Sequence, residues 1–85
     1  MFVAICHFSL DSSSDSRLVQ RIKDKVFAKF KLLLNEVGEG EAVLAGALVN
    51  RDENYLRSLF SKVLEFVEET EGLRVFEERL EVIEK

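Results

Sequence analysis

The sequence predicts an α+β fold in which strands and helices follow one another in the order βαββαβ. Three observations predict it. The spacing of apolar residues changes period five times along the 85 residues. Each of the two segments with helical spacing lies between segments of strand composition. No stretch is left over for a further element, so we expect one domain spanning residues 1–85.

The first two elements are the clearest. Phe2–Leu10 is rich in β-branched and aromatic residues and is too short for a helix, which predicts a strand. The Asp/Ser turn at 11–16 follows, and one of Ser13, Ser14 or Asp15 should cap the next helix. Apolar residues then recur every three or four positions from Arg17 to Phe30, which predicts an amphipathic helix. Its apolar face comprises Leu18, Val19, Ile22, Val26 and Phe30.

The middle of the chain contains two short apolar runs. Lys31–Val37 predicts a second strand, with a continuation of the first helix through Leu34 as the alternative. Gly38-Glu-Gly40 marks a turn. The run Ala42–Val49 is apolar almost throughout, which is typical of a buried central strand.

A second helix and a last strand complete the order. Asn50 or Asp52 can cap this helix, and Asn50 with Glu53 resembles a capping box. The helix should end near Glu69–Gly72, since Gly72 suits a left-handed residue at a helix C-terminus. Its apolar face comprises Tyr55, Leu56, Leu59, Phe60, Val63 and Val67. Leu73–Ile83 predicts the final strand, in which the charged Glu77, Arg79 and Glu81 alternate with the apolar Phe76, Leu80 and Val82.

This order fits a ferredoxin-like sandwich, with a four-stranded antiparallel sheet and two helices on one face. By analogy with that fold, the expected strand order across the sheet is 4-1-3-2. The apolar run of the third strand and the long first strand should then be neighbours at the centre of the sheet.

Composition limits the classes of function. The net charge is −4, and it is unevenly spread: residues 1–35 carry six basic and three acidic side chains, whereas residues 36–85 carry six and thirteen. A net acidic chain is a poor general ligand for phosphate backbones, although a local basic face can still bind one. One cysteine cannot form an intrachain disulfide, and neither a signal peptide nor a membrane-length apolar run is present, so we expect a cytoplasmic protein with no membrane partner.

Three segments of the chain resemble the YlxP-like family of short bacterial proteins of unknown function. They are residues 30–37 (Phe-Lys-Leu-Leu-Leu-Asn-Glu-Val), residues 44–52 (Leu-Ala-Gly-Ala-Leu-Val-Asn-Arg-Asp) and residues 63–69 (Val-Leu-Glu-Phe-Val-Glu-Glu). The resemblance implies a ferredoxin-like fold and, from the genes that neighbour such proteins, a role near RNA or the ribosome. Family members typically carry a basic run at the start of the first helix, but here the corresponding residues 11–16 contain no base and two acids. The resemblance implies no catalytic residues.

A row of basic residues on the first helix is the candidate nucleic-acid contact. Arg17, Arg21, Lys25 and Lys29 lie four apart, so neighbouring members are separated by about 6 Å along the helix, close to the spacing of adjacent phosphates. The first helix is therefore the best candidate for contacting RNA or a ribosomal partner. The alternative is a solvated helix face, because no stacking group accompanies the row in sequence. Stacking of RNA on the sheet is rejected, because Ala42–Val49 contains no aromatic residue.

The apolar residues of the central strands indicate self-association. A sheet covered on one side should alternate apolar and polar residues, but the first and third strands are apolar on both faces. Two helices cannot cover both faces, and a large exposed apolar face is unusual for a monomer. We therefore expect a twofold homodimer or a higher homo-oligomer. The predicted interface comprises Val3, Ile5, His7, Val43, Ala45 and Ala47. The alternative is a monomer that tolerates the face.

No arrangement of residues predicts catalysis, a metal site or a cofactor. Cys6 and His7 are neighbours on a strand, so their side chains should point to opposite faces and Cys6 should be a core residue. The predicted function is a non-enzymatic, self-associating interaction module. The alternative is a regulatory domain that binds a small molecule in the dimer crevice, and an enzyme using Cys6 and His7 is the third and least favoured class.

Overall fold

The elements of the fold follow the predicted order. The computed structural model describes residues 1–10, 16–37 and 42–85, and the predicted cap at Ser13, Ser14 or Asp15 and the turn at 38–40 lie outside these residues. The strands form one antiparallel sheet in the order β2-β3-β1-β4, which confirms the expected 4-1-3-2 arrangement. The elements are β1 (Phe2–Leu10), α1 (Ser16–Phe30), β2 (Asn35–Val37), β3 (Val43–Asn50), α2 (Glu53–Glu71) and β4 (Val75–Glu84).

The hydrophobic core lies between one face of the sheet and the two helices. β1 is a central strand, and its alternate residues Ala4, Cys6, Phe8 and Leu10 are all buried on this face. Because successive side chains of a strand point to opposite faces, the other residues of β1 lie on the opposite side of the sheet. The helices complete the core with the buried residues Val19, Ile22, Val26, Leu56, Phe60, Val63, Leu64 and Val67.

The ends of α2 follow local chemistry. Asp52 is the N-cap, since its carboxylate accepts hydrogen bonds from the backbone N–H groups of Asn54 (2.9 Å) and Tyr55 (3.3 Å). Asn50 instead accepts a bond from the backbone N–H of Asp52 (2.8 Å), so Asp52 caps and Asn50 supports the turn before it. Gly72 ends the helix at φ 64°, as predicted. Tyr55 is half exposed, so its expected place on the apolar face is wrong.

The predicted second strand is too long. Pairing begins only at Asn35, opposite Ala45, and the preceding residues 31–34 form no strand. The reason is a close approach at Gly46, where an added Cβ would lie 2.8 Å from the carbonyl oxygen of Leu33 and within 3.2 Å of the side chains of Leu32 and Leu34. Both of these leucines are buried. The segment therefore fills the core above Gly46 before it reaches the edge of the sheet.

A β-bulge in β4 changes the predicted alternation of the last strand. His7 pairs with Arg79, but two residues later Ser9 pairs with Phe76, so β4 has one extra residue between these pairs. Glu77 lies in this bulge with a φ of 53°. Phe76 was expected on the same face as Leu80 and Val82, but the bulge places it on the opposite face.

Candidate functional site

The face of the sheet opposite the helices is the candidate functional surface, and it is called the open face below. The predicted interface residues all lie on it, because they alternate with the buried residues of β1 and β3. In the register of the sheet Ile5 is opposite Ala47, and His7 is opposite Ala45. The structure therefore brings Val3, Ile5, His7, Val43, Ala45 and Ala47 together on one surface.

Each of the four strands exposes a large apolar side chain on the open face. Ile5 is 45% exposed, Val37 42%, Val49 56% and Phe76 40%. Val37 joins the face from β2, where it pairs with Val43. No sequence pattern places Phe76 on the open face, because a single extra residue in β4 decides which way its side chain points.

Charged side chains border this apolar surface along β4. Arg79 and Glu81 are opposite His7 and Ile5, respectively, so both belong to the open face. Neither forms an ion pair within the described residues, where the ion pairs are Arg21–Glu71, Lys25–Glu71 and Arg57–Glu53. An apolar centre with charges at its margin is the usual arrangement of a protein interface.

Cys6 and His7 are not brought together, as predicted from their positions in a strand. Cys6 is 4% exposed in the core, and its thiol donates a hydrogen bond to the carbonyl oxygen of Gly46 (3.5 Å). Burial raises the pKa of the Cys6 thiol, so the thiol stays protonated at neutral pH. A buried, protonated thiol is a poor nucleophile.

The basic row on α1 is partly engaged within the molecule. Arg21 and Lys25 both bind the carboxylate of Glu71, the last residue of α2, at 2.7 and 3.1 Å. The Glu71 side chain is only 5% exposed. Hydrogen bonds from Arg21, together with those from Lys25, lower the pKa of this carboxyl group. These two basic residues therefore join the middle of α1 to the C-terminal end of α2, a role that the sequence could not show.

Lys29, the last member of the row, lies among aromatic rings. Its ammonium group is 4.8 Å from the centre of the Phe66 ring and 5.7 Å from that of Phe30. The two rings meet edge to face at 5.5 Å. Lys31 lies over Phe27 in the same way, at 5.8 Å, and Phe27 is 47% exposed. Sequence reasoning missed the cluster around Lys29 because Phe66 belongs to α2, whereas Lys29 and Phe30 end α1.

The described part of the chain contains neither a metal-binding cluster nor a membrane-spanning helix. Within residues 1–10, 16–37 and 42–85, no three His, Cys, Asp or Glu side chains form a group that could hold a metal ion. No helix in the same ranges is long and apolar enough to cross a membrane.

Comparison with known proteins supports the fold and gives the family. The structure is similar to that of a putative antibiotic biosynthesis monooxygenase from Deinococcus radiodurans, with a TM-score of 0.58 and 11% sequence identity over 100% of this chain and 92% of that one. At this identity the likeness concerns the fold. No curated protein matches the chain. Residues 16–80 match DUF503, which is described as a protein of unknown function, and the chain therefore belongs to the DUF503 family.

Proposed function

We propose that this protein is a non-enzymatic interaction module that associates with a second copy of itself through the open face. The observation that carries the proposal is the exposure of Ile5, Val37, Val49 and Phe76 on one continuous face. Exposed apolar surface of this kind is costly in water, and covering it is the main source of free energy in protein association.

The charges on the margin of the open face favour a second copy over an unrelated partner. A twofold axis places residue i against residue j and residue j against residue i. Arg79 and Glu81 are opposite charges two positions apart on β4, so each could meet the other in the second copy. A patch that is complementary to itself in this way suits a homodimer.

The size of the open face predicts the strength of the dimer. Three strands of eight to ten residues and the three-residue β2, about 4.8 Å apart, give a face of roughly 500 Å². This is smaller than the ~800 Å² per partner of a standard interface. We therefore expect modest affinity, and the association should be measured over a wide range of protein concentrations.

The test compares two lysine substitutions of exposed apolar residues. Ile5→Lys places a charge at the centre of the open face, where it would be buried without a partner in the dimer. Tyr55→Lys is the matched control, because Tyr55 is 51% exposed on α2, away from the face. Sedimentation velocity should show a dimer for the wild type and for Tyr55→Lys. For Ile5→Lys the dissociation constant should rise about 100-fold or more.

Two results would contradict the proposal. One is a wild-type monomer at every concentration. The other is an Ile5→Lys variant that dimerises as tightly as the wild type. Circular dichroism should show that both variants keep the fold, since both side chains are already half exposed.

A second candidate function is contact with RNA or a ribosomal partner through α1, which the YlxP-like resemblance also implies. What supports it is the set of rings beside Lys29 and Lys31, since cations interleaved with aromatic rings suit single-stranded nucleic acid. The pairing of Arg21 and Lys25 with Glu71 moves the candidate contact toward the C-terminal end of α1.

The test of this second candidate is a salt titration of binding to single-stranded RNA. Affinity should fall as salt rises, because phosphate contacts release counterions. Lys29→Glu should abolish binding, and Arg74→Glu, an exposed substitution outside this cluster, should not. RNA affinity that is unchanged by Lys29→Glu would exclude this end of the helix.

A further inference from the structure

The β-bulge in β4 brings polar side chains together at the margin of the open face. A cavity of about 420 Å³ is lined by His7, Glu77, Glu78 and Arg79. A second cavity of about 320 Å³ is lined by Ile5, His7, Arg79, Leu80 and Glu81. Because His7 and Arg79 line both cavities, the two adjoin and can hold different parts of one ligand.

The imidazole of His7 is the first sign of a missing ligand group. Its Nδ1 atom is shielded from solvent and has no hydrogen-bond partner within the described residues. A buried polar atom without a partner costs about 1–3 kcal/mol, so native proteins contain few of them. A ligand that supplies the absent hydrogen bond would recover this cost.

The backbone of the bulge is the second sign. Glu77 adopts a φ of 53°, a left-handed conformation that is unfavourable for a residue with a Cβ. The bulge directs the Glu77 carboxylate toward Ser9, whose hydroxyl donates a hydrogen bond to it at 3.4 Å. Ser9 is itself 6% exposed. Bulges of this kind often occur where a side chain is redirected toward a site.

The charges of the cluster indicate the chemistry of the ligand. Arg79 has no ion-pair partner in the part of the chain that the structure describes, and a guanidinium group binds a carboxylate through two parallel hydrogen bonds. Glu77 and Glu78 offer carboxylate oxygens in the same cavity, which suit an ammonium group. A ligand with both charges would satisfy all three residues, whereas a simple anion would meet two adjacent carboxylates.

The adjoining cavity indicates the rest of the ligand. Ile5 contributes apolar surface beside Arg79. We propose that the bulge and this neighbouring cavity bind a small α-amino acid with an apolar side chain. Its carboxylate lies at Arg79, its ammonium group lies at Glu77 and Glu78 beside His7 Nδ1, and its side chain lies against Ile5.

All of these residues belong to one copy of the chain, so the site goes beyond self-association. In the proposed dimer the second copy would cover the site, and the five N–H donors of the Arg79 guanidinium allow it to bind the ligand's carboxylate and also to meet Glu81 of the second copy. Failure of the site and failure of the dimer are therefore separate outcomes, which calorimetry and sedimentation measure independently.

The test uses L-leucine and three probes that each lack one feature of it. Isocaproate lacks the ammonium group, isopentylamine lacks the carboxylate, and glycine lacks the apolar side chain. In titration calorimetry on the full chain, L-leucine should bind, and each of the three probes should bind at least about tenfold more weakly. Saturating L-leucine should also raise the melting temperature of the protein by several degrees.

Substitutions locate the site. Arg79→Gln and Glu78→Gln should each weaken the binding of L-leucine about tenfold or more. Their matched controls are Arg74→Gln, just before β4, and Glu84→Gln, at its last residue; both residues are exposed and line neither cavity. The controls should bind L-leucine as the wild type does.

The following outcomes would overturn the proposal. Isocaproate that binds as tightly as L-leucine would indicate an anion site. Binding that survives Arg79→Gln would place the ligand elsewhere. A dimeric wild type that binds neither L-leucine nor L-valine, L-isoleucine or L-methionine would refute the site while leaving self-association intact.

Discussion

The two faces of the sheet are built from the same strands but meet different surroundings. On the covered face Phe8 is 0% exposed and lies among residues of both helices, while on the open face Ile5 is 45% exposed. Both faces are apolar at the centre of the sheet. The difference teaches that apolar patterning alone does not show what covers a face. Both faces are apolar, but the two helices cover only one of them.

The first and largest prediction compares two phenylalanines, one on each face. Phe8→Ala should lower the free energy of unfolding by about 3–5 kcal/mol, because it removes a fully buried ring and leaves a cavity. Phe76→Ala, at 40% exposure, should cost about 1–2 kcal/mol in the monomer. Urea unfolding followed by circular dichroism, at a concentration where the chain is monomeric, measures both.

Equal losses from the two substitutions would remove the distinction between the faces. A loss from Phe76→Ala that grows with protein concentration would sharpen it, because the stability of a dimer depends on concentration and that of a monomer does not.

The second prediction concerns two neighbouring small residues of β3 that point to opposite faces. Gly46→Ala should destabilise the protein by about 1–3 kcal/mol, because the new Cβ would lie 2.8 Å from the backbone carbonyl of Leu33, which cannot easily move. Ala47→Ser, on the open face, should change the free energy of unfolding by less than about 0.5 kcal/mol. If Gly46→Ala leaves the free energy of unfolding unchanged, residues 31–34 move away readily from the new Cβ.

Sequence patterns were enough for the order of elements and for most of the open face. Alternation with a period of two assigns Val3, Ile5 and Ala47 to the same side of the sheet once their strands are recognised. The bulge at Glu77 was not predictable, because one inserted residue leaves no mark in composition. The length of β2 depends on the close approach at Gly46, which is a tertiary contact.

The candidate sites also combine features that the sequence predicts with features that depend on tertiary contacts. The basic row on α1 was visible in sequence, but its pairing with Glu71 joins residues about 50 positions apart. The amino-acid site depends on His7 and Arg79 becoming neighbours across the β1–β4 ladder, and no local pattern records that register.

The third prediction tests the backbone at the C-terminal ends of the two helices, which cover one face of the sheet. Gly72 has a φ of 64° and an added Cβ there would meet nothing within 4 Å, so any cost of Gly72→Ala comes from the backbone alone. We expect a loss of about 1 kcal/mol in the free energy of unfolding. Lys31 follows α1 with a φ of 60°, and Lys31→Gly should therefore stabilise the protein by about 0.5–1 kcal/mol. Chemical denaturation of both variants should give opposite signs, and equal signs would contradict this reading of the two helix ends.

The last and smallest effect concerns the ion pairs between α1 and α2, which should be weak because the basic partners of Glu71 are about half exposed. Glu71→Gln removes the ion pairs with Arg21 and Lys25, and we expect a loss of roughly 0.5–1 kcal/mol at pH 7. The pKa of Glu71 is lowered in the folded state, so its contribution is complete above the ordinary carboxyl pKa of about 4.3 and is lost as the pH falls through the lower, folded-state value. The difference in unfolding free energy between the wild type and Glu71→Gln should therefore disappear in acid.

Glu65→Gln, an exposed substitution on the same helix, is the control and should show little difference at either pH. A difference for Glu71→Gln that persists in strong acid would mean that packing of the side chain, and not its charge, joins the two helices.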